Sequence, residues 1–239
     1  MNPTLHAVIR TLRWEATREL RSRRRARRLA WPLAVLALLL VPQSLVFPGV
    51  LAAQVIVVAL AAWPLAVLVL PVSDSFAGER ERGTLEALLL SPVPDWAIPT
   101  GKLLWLYGQG LAYLCILLIA HALVIYATAG EALPLAWYAA ALGLGVAGYP
   151  LLVTLGLLVS WKVSSVQAAQ AIVVYVPLAA LIAAGALVGK LASSSQLPVD
   201  SPPAWAGPVA IVAMACVSLV AVPVVLGRFR RDRLLVRCR

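Results

Sequence analysis

Charge is scarce in this chain: of 239 residues only 13% are Asp, Glu, Lys or Arg, and acidic side chains number ten. Apolar residues make up 62% and mean hydropathy is +0.91, which excludes an ordinary soluble domain and points to a polytopic membrane protein. Three cysteines do not support a disulfide framework, since Cys115 and Cys216 lie inside apolar runs and Cys238 in a basic tail. Two histidines and three scattered cysteines make no zinc set, and Ser160, Ser164 and Ser165 have no histidine close in sequence to act as a base. An intramembrane hydrolase is therefore not supported. No G-x-x-x-x-G-K-[ST] phosphate loop occurs, nor a soluble region large enough to hold one, so the chain is not expected to hydrolyse ATP alone.

What is present is a set of long uncharged runs, at 29–73, 103–130, 132–161, 163–189 and 201–227. A hydrocarbon core of ~30 Å takes about 20 helical residues, so the first run, 45 residues long, must cross twice. Pro42, Gln43, Ser44, Pro48 and Gly49 are its only central breakers. The expectation is an all-α protein of six transmembrane helices near 29–46, 50–72, 103–127, 135–160, 166–189 and 205–226.

Basic residues orient these spans, because Lys and Arg in short loops stay on the cytoplasmic side. With both termini inside, nine Arg in 1–28, then Arg80, Arg82, Lys102, Lys162 and six Arg after Gly227 fall on one side, nineteen of the twenty basic residues. Only Lys190 falls outside. The net charge of +10 is thus a positive-inside signature, with attraction to anionic membrane lipids added, and it needs no nucleic-acid partner. A multi-pass protein of a bacterial-type plasma (inner) membrane is expected. The basic region before the first apolar run is longer than a usual signal-peptide n-region, so that span is expected to be retained.

Residues 1–28 read as a cytoplasmic amphipathic helix, with Asn2 as cap and Pro3 at the first helical position. Leu5, Val8, Ile9, Leu12, Ala16 and Leu20 share one face and Arg10, Arg18 and Arg21 the other, the pattern of a helix lying at the headgroup boundary. A purely topogenic basic tail is the plainer alternative. The domain layout is then this helix, a six-span region over 29–227 and a basic tail at 228–239. Gly143, Gly145, Gly148, Pro150, Pro177 and Pro223 sit within the spans as packing features or hinges.

The long polar interruption is Ser73 to Lys102, SDSFAGERERGTLEALLLSPVPDWAIPTGK, between the second and third spans. Glu79, Arg80, Glu81 and Arg82 leave the membrane, Gly83 breaks the helix and Thr84 caps a second one. In that short helix Leu85, Leu88 and Leu89 form an apolar ridge with Glu86 beside it. A ridge with a charged rim suits a soluble protein partner.

GERERGTLEALLLSPVP resembles the cytoplasmic segment of type-2 ATP-binding-cassette (ABC) exporter permeases, whose pattern is acidic-x-acidic-x-Gly-Thr-Leu-acidic, then Leu-Leu, Ser-Pro and, further on, Gly-Lys. Glu79, Glu81, Gly83, Thr84, Leu85, Glu86, Leu88, Leu89, Pro92, Gly101 and Lys102 match it. ELRSRR at Glu19 to Arg24 and RFRRDRLL at Arg228 to Leu235 are similar to that family's flanks of the first and last spans. The resemblance implies a membrane subunit that pairs with a second permease subunit, identical or homologous. Each would rest on a cytosolic ABC ATPase that holds ATP and Mg, with no cofactor on this chain. It also implies that Glu79, Arg80, Glu81, Arg82, Gly83, Thr84, Leu85, Glu86, Leu88 and Leu89 form the coupling helix region against that ATPase. The short loop between the first two spans departs from members with a large external insertion and is similar to haem-exporter permeases of cytochrome c maturation, an alternative that stays open. A membrane scaffold that transports nothing is the other.

No expected span holds Asp, Glu, Lys or Arg, which argues against ion-coupled transport, where an intramembrane ionisable group is usual. Tyr107, Gln109, Tyr113 and His121 run along the third span. They read either as a translocation path or as hydrogen-bonding groups between helices.

Overall fold

A computed structural model describes residues 8–13, 17, 60–61, 64, 67–91, 93–130, 133–175 and 206–229, and among them every regular element is helical. In chain order these are α1 (8–13), α2 (67–81), α3 (Leu85–Leu89), α4 (Ala97–Ala129), α5 (Leu135–Lys162), α6 (Val166–Tyr175) and α7 (Ala206–Gly227). The expected first span lies outside the described residues, as do most of 50–66, the second half of the expected fifth span, the external segment 190–205 and the tail from 230 onward. Among the described residues two helices are long and apolar enough to cross a membrane, Ala97–Ala127 within α4 and Leu135–Lys162. The fold is thus all-α and multi-helical, consistent with a polytopic membrane protein.

Helix α4 begins six residues before the apolar run that predicted it. Trp96 precedes its first turn, and Pro99 occupies the third helical position, where its missing N–H removes a donor with no intrahelical acceptor anyway. With 33 residues and ~1.5 Å per residue, the helix overruns a ~30 Å hydrocarbon core, and Lys102 sits on its second turn. It ends where Gly130 takes a left-handed φ of 71°, a conformation that suits glycine.

Helix α5 is the centre of the arrangement and packs on both α4 and α7. Pro150 lies inside it, and a proline leaves the carbonyl four residues earlier without its helical donor. That carbonyl, of Val146, accepts from the Tyr107 hydroxyl of α4 at 3.3 Å. Ser218 of α7 donates to the neighbouring Ala147 carbonyl. The Tyr107 hydroxyl thus re-satisfies the carbonyl that the proline leaves open, as an apolar surrounding requires.

Among the described residues two clusters form the core. One joins residues 60 and 61 to Leu114 of α4 and Tyr149 of α5, with the Tyr149 hydroxyl donating to the Ala61 carbonyl at 2.7 Å. The other gathers Phe76 of α2, Leu85 of α3, Ile98 of α4, Leu157 of α5 and Phe229 just after α7 at one end of the bundle. Helix α1 reaches α4 at Gly101, where an added Cβ would lie 2.7 Å from the Thr11 Cβ. Val8 and Thr11 are both buried, so α1 rests on protein.

Candidate functional site

The charged end of the bundle is organised around a break in α2. Residues Asp74–Gly78 form a π-helical turn, and the cause is a side chain inserted into the hydrogen-bond ladder. In an α-helix the Ala77 N–H would bond the Ser73 carbonyl. Here the Ser160 hydroxyl of α5 stands between them, accepting from Ala77 N and from Phe76 N at 3.0 Å each and donating to Ser73 O at 2.8 Å. One fully buried hydroxyl therefore replaces the missing helical bonds and locks α2 to α5.

The turn also aims Glu79 inward. Its carboxylate is 0% exposed and meets Lys102 of α4, itself 2% exposed, with Nζ to Oε1 at 2.9 Å. The same ammonium donates to the Ser75 carbonyl at 3.0 Å and lies 5.2 Å from the centre of the Phe76 ring. A buried charge is tolerated only when paired and hydrogen-bonded, and Lys102 meets both conditions.

The remaining charges of the run are each used inside the chain. The Arg80 guanidinium donates to the carbonyls of Trp161, at 3.0 Å, and of Val163, at the end of α5, where a cation complements the helix dipole. The Glu81 carboxylate accepts from Val166 N at 2.7 Å, at the start of α6, where an anion is favoured for the same reason. Arg82 reaches back to Asp74 with bonds of 2.8 and 3.2 Å, passing over Gly78, where a Cβ would collide with the aspartate side chain.

Gly83 stops the helix. At φ 67° it allows Gly83 N to bond Arg80 O at 3.1 Å and Thr84 N to bond Glu79 O at 2.9 Å, the paired closure of a Schellman turn. Thr84 then stands at the cap position of α3, but it does not cap as expected. Its hydroxyl donates back to the Glu79 carbonyl at 3.3 Å.

The apolar ridge of α3 faces the other way from the sequence expectation. Leu85 and Leu89 are 1% and 2% exposed, packed into the cluster around Phe76 and Ile98, and Leu88 is partly buried against it. A short amphipathic helix beside an apolar core buries its ridge on the nearest apolar surface, at about 1.5–3 kcal/mol for each large side chain. The outward face is Gly83, Thr84, Glu86, Ala87 and Leu90, with Leu90 70% exposed. Asp95 and Trp96, before α4, are exposed as well.

Residues 48–221 match the family described as ABC-2 family transporter protein. That is well over half of the chain, and it includes the whole charged end except Phe229. The chain belongs to the ABC-2 transporter family. No curated protein and no solved structure matches it.

The polar side chains along α4 of this ABC-2 family member do not converge on one face. At about 100° per residue, Tyr107 and His121 share a face, with Gln109 and Tyr113 elsewhere around the helix. The shared face turns toward α5: Tyr107 bonds the Val146 carbonyl, and His121, 1% exposed, has Nδ1 3.3 Å from the Tyr138 hydroxyl. Both contacts join α4 to α5. Gln109 and Tyr113 are half-buried.

Ser160 and Leu90 were not singled out by the motif. The signal for Ser160 was a lone hydroxyl near the end of an apolar run, which does not name a partner 84 residues away. Leu90 is one more leucine in a run of three, and only the helix orientation separates it from Leu89.

Proposed function

We propose that the chain is the permease subunit of an ATP-driven exporter, crossing the membrane six times with both termini in the cytoplasm. It pairs with a second copy or a homologue, carries no ATPase site of its own and is driven by cytosolic ABC ATPase subunits holding ATP and Mg. The cargo is hydrophobic or amphipathic. Family membership supports the permease role, and the observation that carries the rest is the outward edge of α3. A short helix anchored by Leu85 and Leu89, with Glu86, Ala87 and a 70% exposed Leu90 left uncovered, is a mounted docking element. In this reading α3 is the coupling helix. Its outer edge touches the ATPase, while Glu79, Arg80, Leu85 and Leu89 hold it on the membrane helices from behind.

Of the motif, Arg82, Gly83, Thr84 and Glu86, with Leu88 at the edge, remain for direct contact, because the Glu81 carboxylate is taken by Val166 N. The mounted geometry favours a mechanical role over simple recruitment, because a recruiting loop has no need of a buried ion pair and two helix-end contacts behind it. The test is co-purification from the native membrane followed by reconstitution. The wild-type chain should bring down an ATPase and support ATP-dependent movement of an amphipathic dye. Recovery of the chain without any nucleotide-hydrolysing partner would refute the reading.

A further inference from the structure

The geometry assigns Arg80 and Glu81 a positioning role: together they make the turn between α5 and α6 part of the lever formed by α2 and α3. A push on α3 then moves two pairs of membrane helices. This rests on the exporter reading for the source of the push, but the clamp itself is independent of it.

The turn runs from the end of α5 at Lys162 to the start of α6 at Val166. Helix ends carry backbone groups with no partner in their own helix, and consecutive residues of α2 take them from the two sides of the turn. Arg80 holds the last carbonyls of α5, at Trp161 and Val163. Glu81 holds the first N–H of α6, at Val166, while the Ser165 hydroxyl, just before α6, accepts from Ala168 N at 3.2 Å. Each charge has the sign that its helix end favours. Both bonds are charge-assisted, the stronger class of hydrogen bond.

Ser160 adds a third tie one turn earlier, through Ser73, Phe76 and Ala77. Residues 73–81 are thus bonded to residues 160–166 at three successive levels. The Schellman closure at Gly83 and Thr84 joins the same stretch of α2 to α3. Any displacement of α3 must either carry the α5–α6 turn with it or break these bonds. The alternating charges that read from sequence as a rim for a partner are, on this view, the internal linkage of the lever.

The experiment uses the full chain in lipid nanodiscs with its co-purified ATPase. Amide exchange over 163–168 should be ~5- to 10-fold faster in Glu81→Ala, the loss expected when a helix-end acceptor is removed. Glu81→Gln keeps an acceptor and should return most of the protection. Arg80→Gln should loosen the same turn, with exchange over 85–89 unchanged in every variant.

For transmission, a fluorophore is placed through Ser164→Cys, an exposed position, after Cys115, Cys216 and Cys238 are replaced by Ser. ATP should shift its emission in the otherwise native chain. The shift should be lost in Glu81→Ala and Arg80→Gln while the amount of bound ATPase stays the same, a split that a merely structural defect would not give. Unchanged exchange over 163–168 in both variants overturns the clamp, and a full ATP response at 164 in both overturns the lever. Absence of an ATPase from the wild-type preparation would instead sink the exporter reading and the source of the push, while the exchange measurement would still decide the clamp.

Discussion

Removing the ammonium of Lys102 tests the charged end of the bundle most directly. At the observed 2.9 Å, and with an effective dielectric constant of about 20, the attraction between Lys102 and Glu79 is about 6 kcal/mol. Desolvating the two ions costs several kcal/mol each and offsets most of that gain. The pair as a whole therefore adds little stability, whereas breaking it does not come free. Lys102→Met leaves the Glu79 carboxylate at 0% exposure without its cation and the Ser75 carbonyl without this donor. The expected loss is about 3–5 kcal/mol, which for a chain of this size lowers the unfolding midpoint by about 10 °C. The double variant Lys102→Met with Glu79→Leu removes both charges and should recover at least ~2 kcal/mol relative to the sum of the single variants. Thermal unfolding of purified protein in detergent, followed by tryptophan fluorescence, measures all four members of the cycle. A Lys102→Met midpoint within 2 °C (about 1 kcal/mol or less) of wild type, or simple additivity in the double variant, would refute the buried-pair argument.

Ser160→Ala strips one hydroxyl that serves three backbone groups of α2, and about 2–3 kcal/mol of stability should go with it, read by the same melts. Gly83→Ala meets no atom within 4 Å, so its penalty is the left-handed backbone alone, about 1–2 kcal/mol, and Gly83→Asn should lose less. Leu90→Arg, at a position 70% exposed, should keep stability within about 0.5 kcal/mol and reduce ATPase recovery in quantitative pull-downs by at least ~10-fold, equivalent to ~1.4 kcal/mol. Leu89→Arg should instead fail as a folded protein, since it places an unpaired charge in the core.

Much of the architecture was legible in composition because a bilayer imposes it. Long uncharged runs have to be helices when no water is present to take their backbone groups, and α4 and α5 appear where the runs at 103–130 and 132–161 put them. The start of α4 was not legible from charge, since Lys102 marks where an apolar run starts but not where the helix starts. The motif Glu79 to Leu90 was visible as a place where something special happens. Which way its side chains point was not, because Leu85 and Leu89 satisfy the same spacing whether they bury themselves on a partner or on α2 and α4.

By itself the sequence determined the helical class, the membrane setting and the family, all of which follow from patterns local to each segment: apolar run length, charge placement and one short motif. Tertiary structure alone decided what the charges of that motif do. Glu79 finds Lys102, Arg80 the end of α5, Glu81 the start of α6, and Ser160 the broken ladder of α2. These are pairings across 23 to 87 residues of chain. The physical reason is that a buried charge or an open helix end needs a partner in space, and its nearest partner in space is set by how the helices pack.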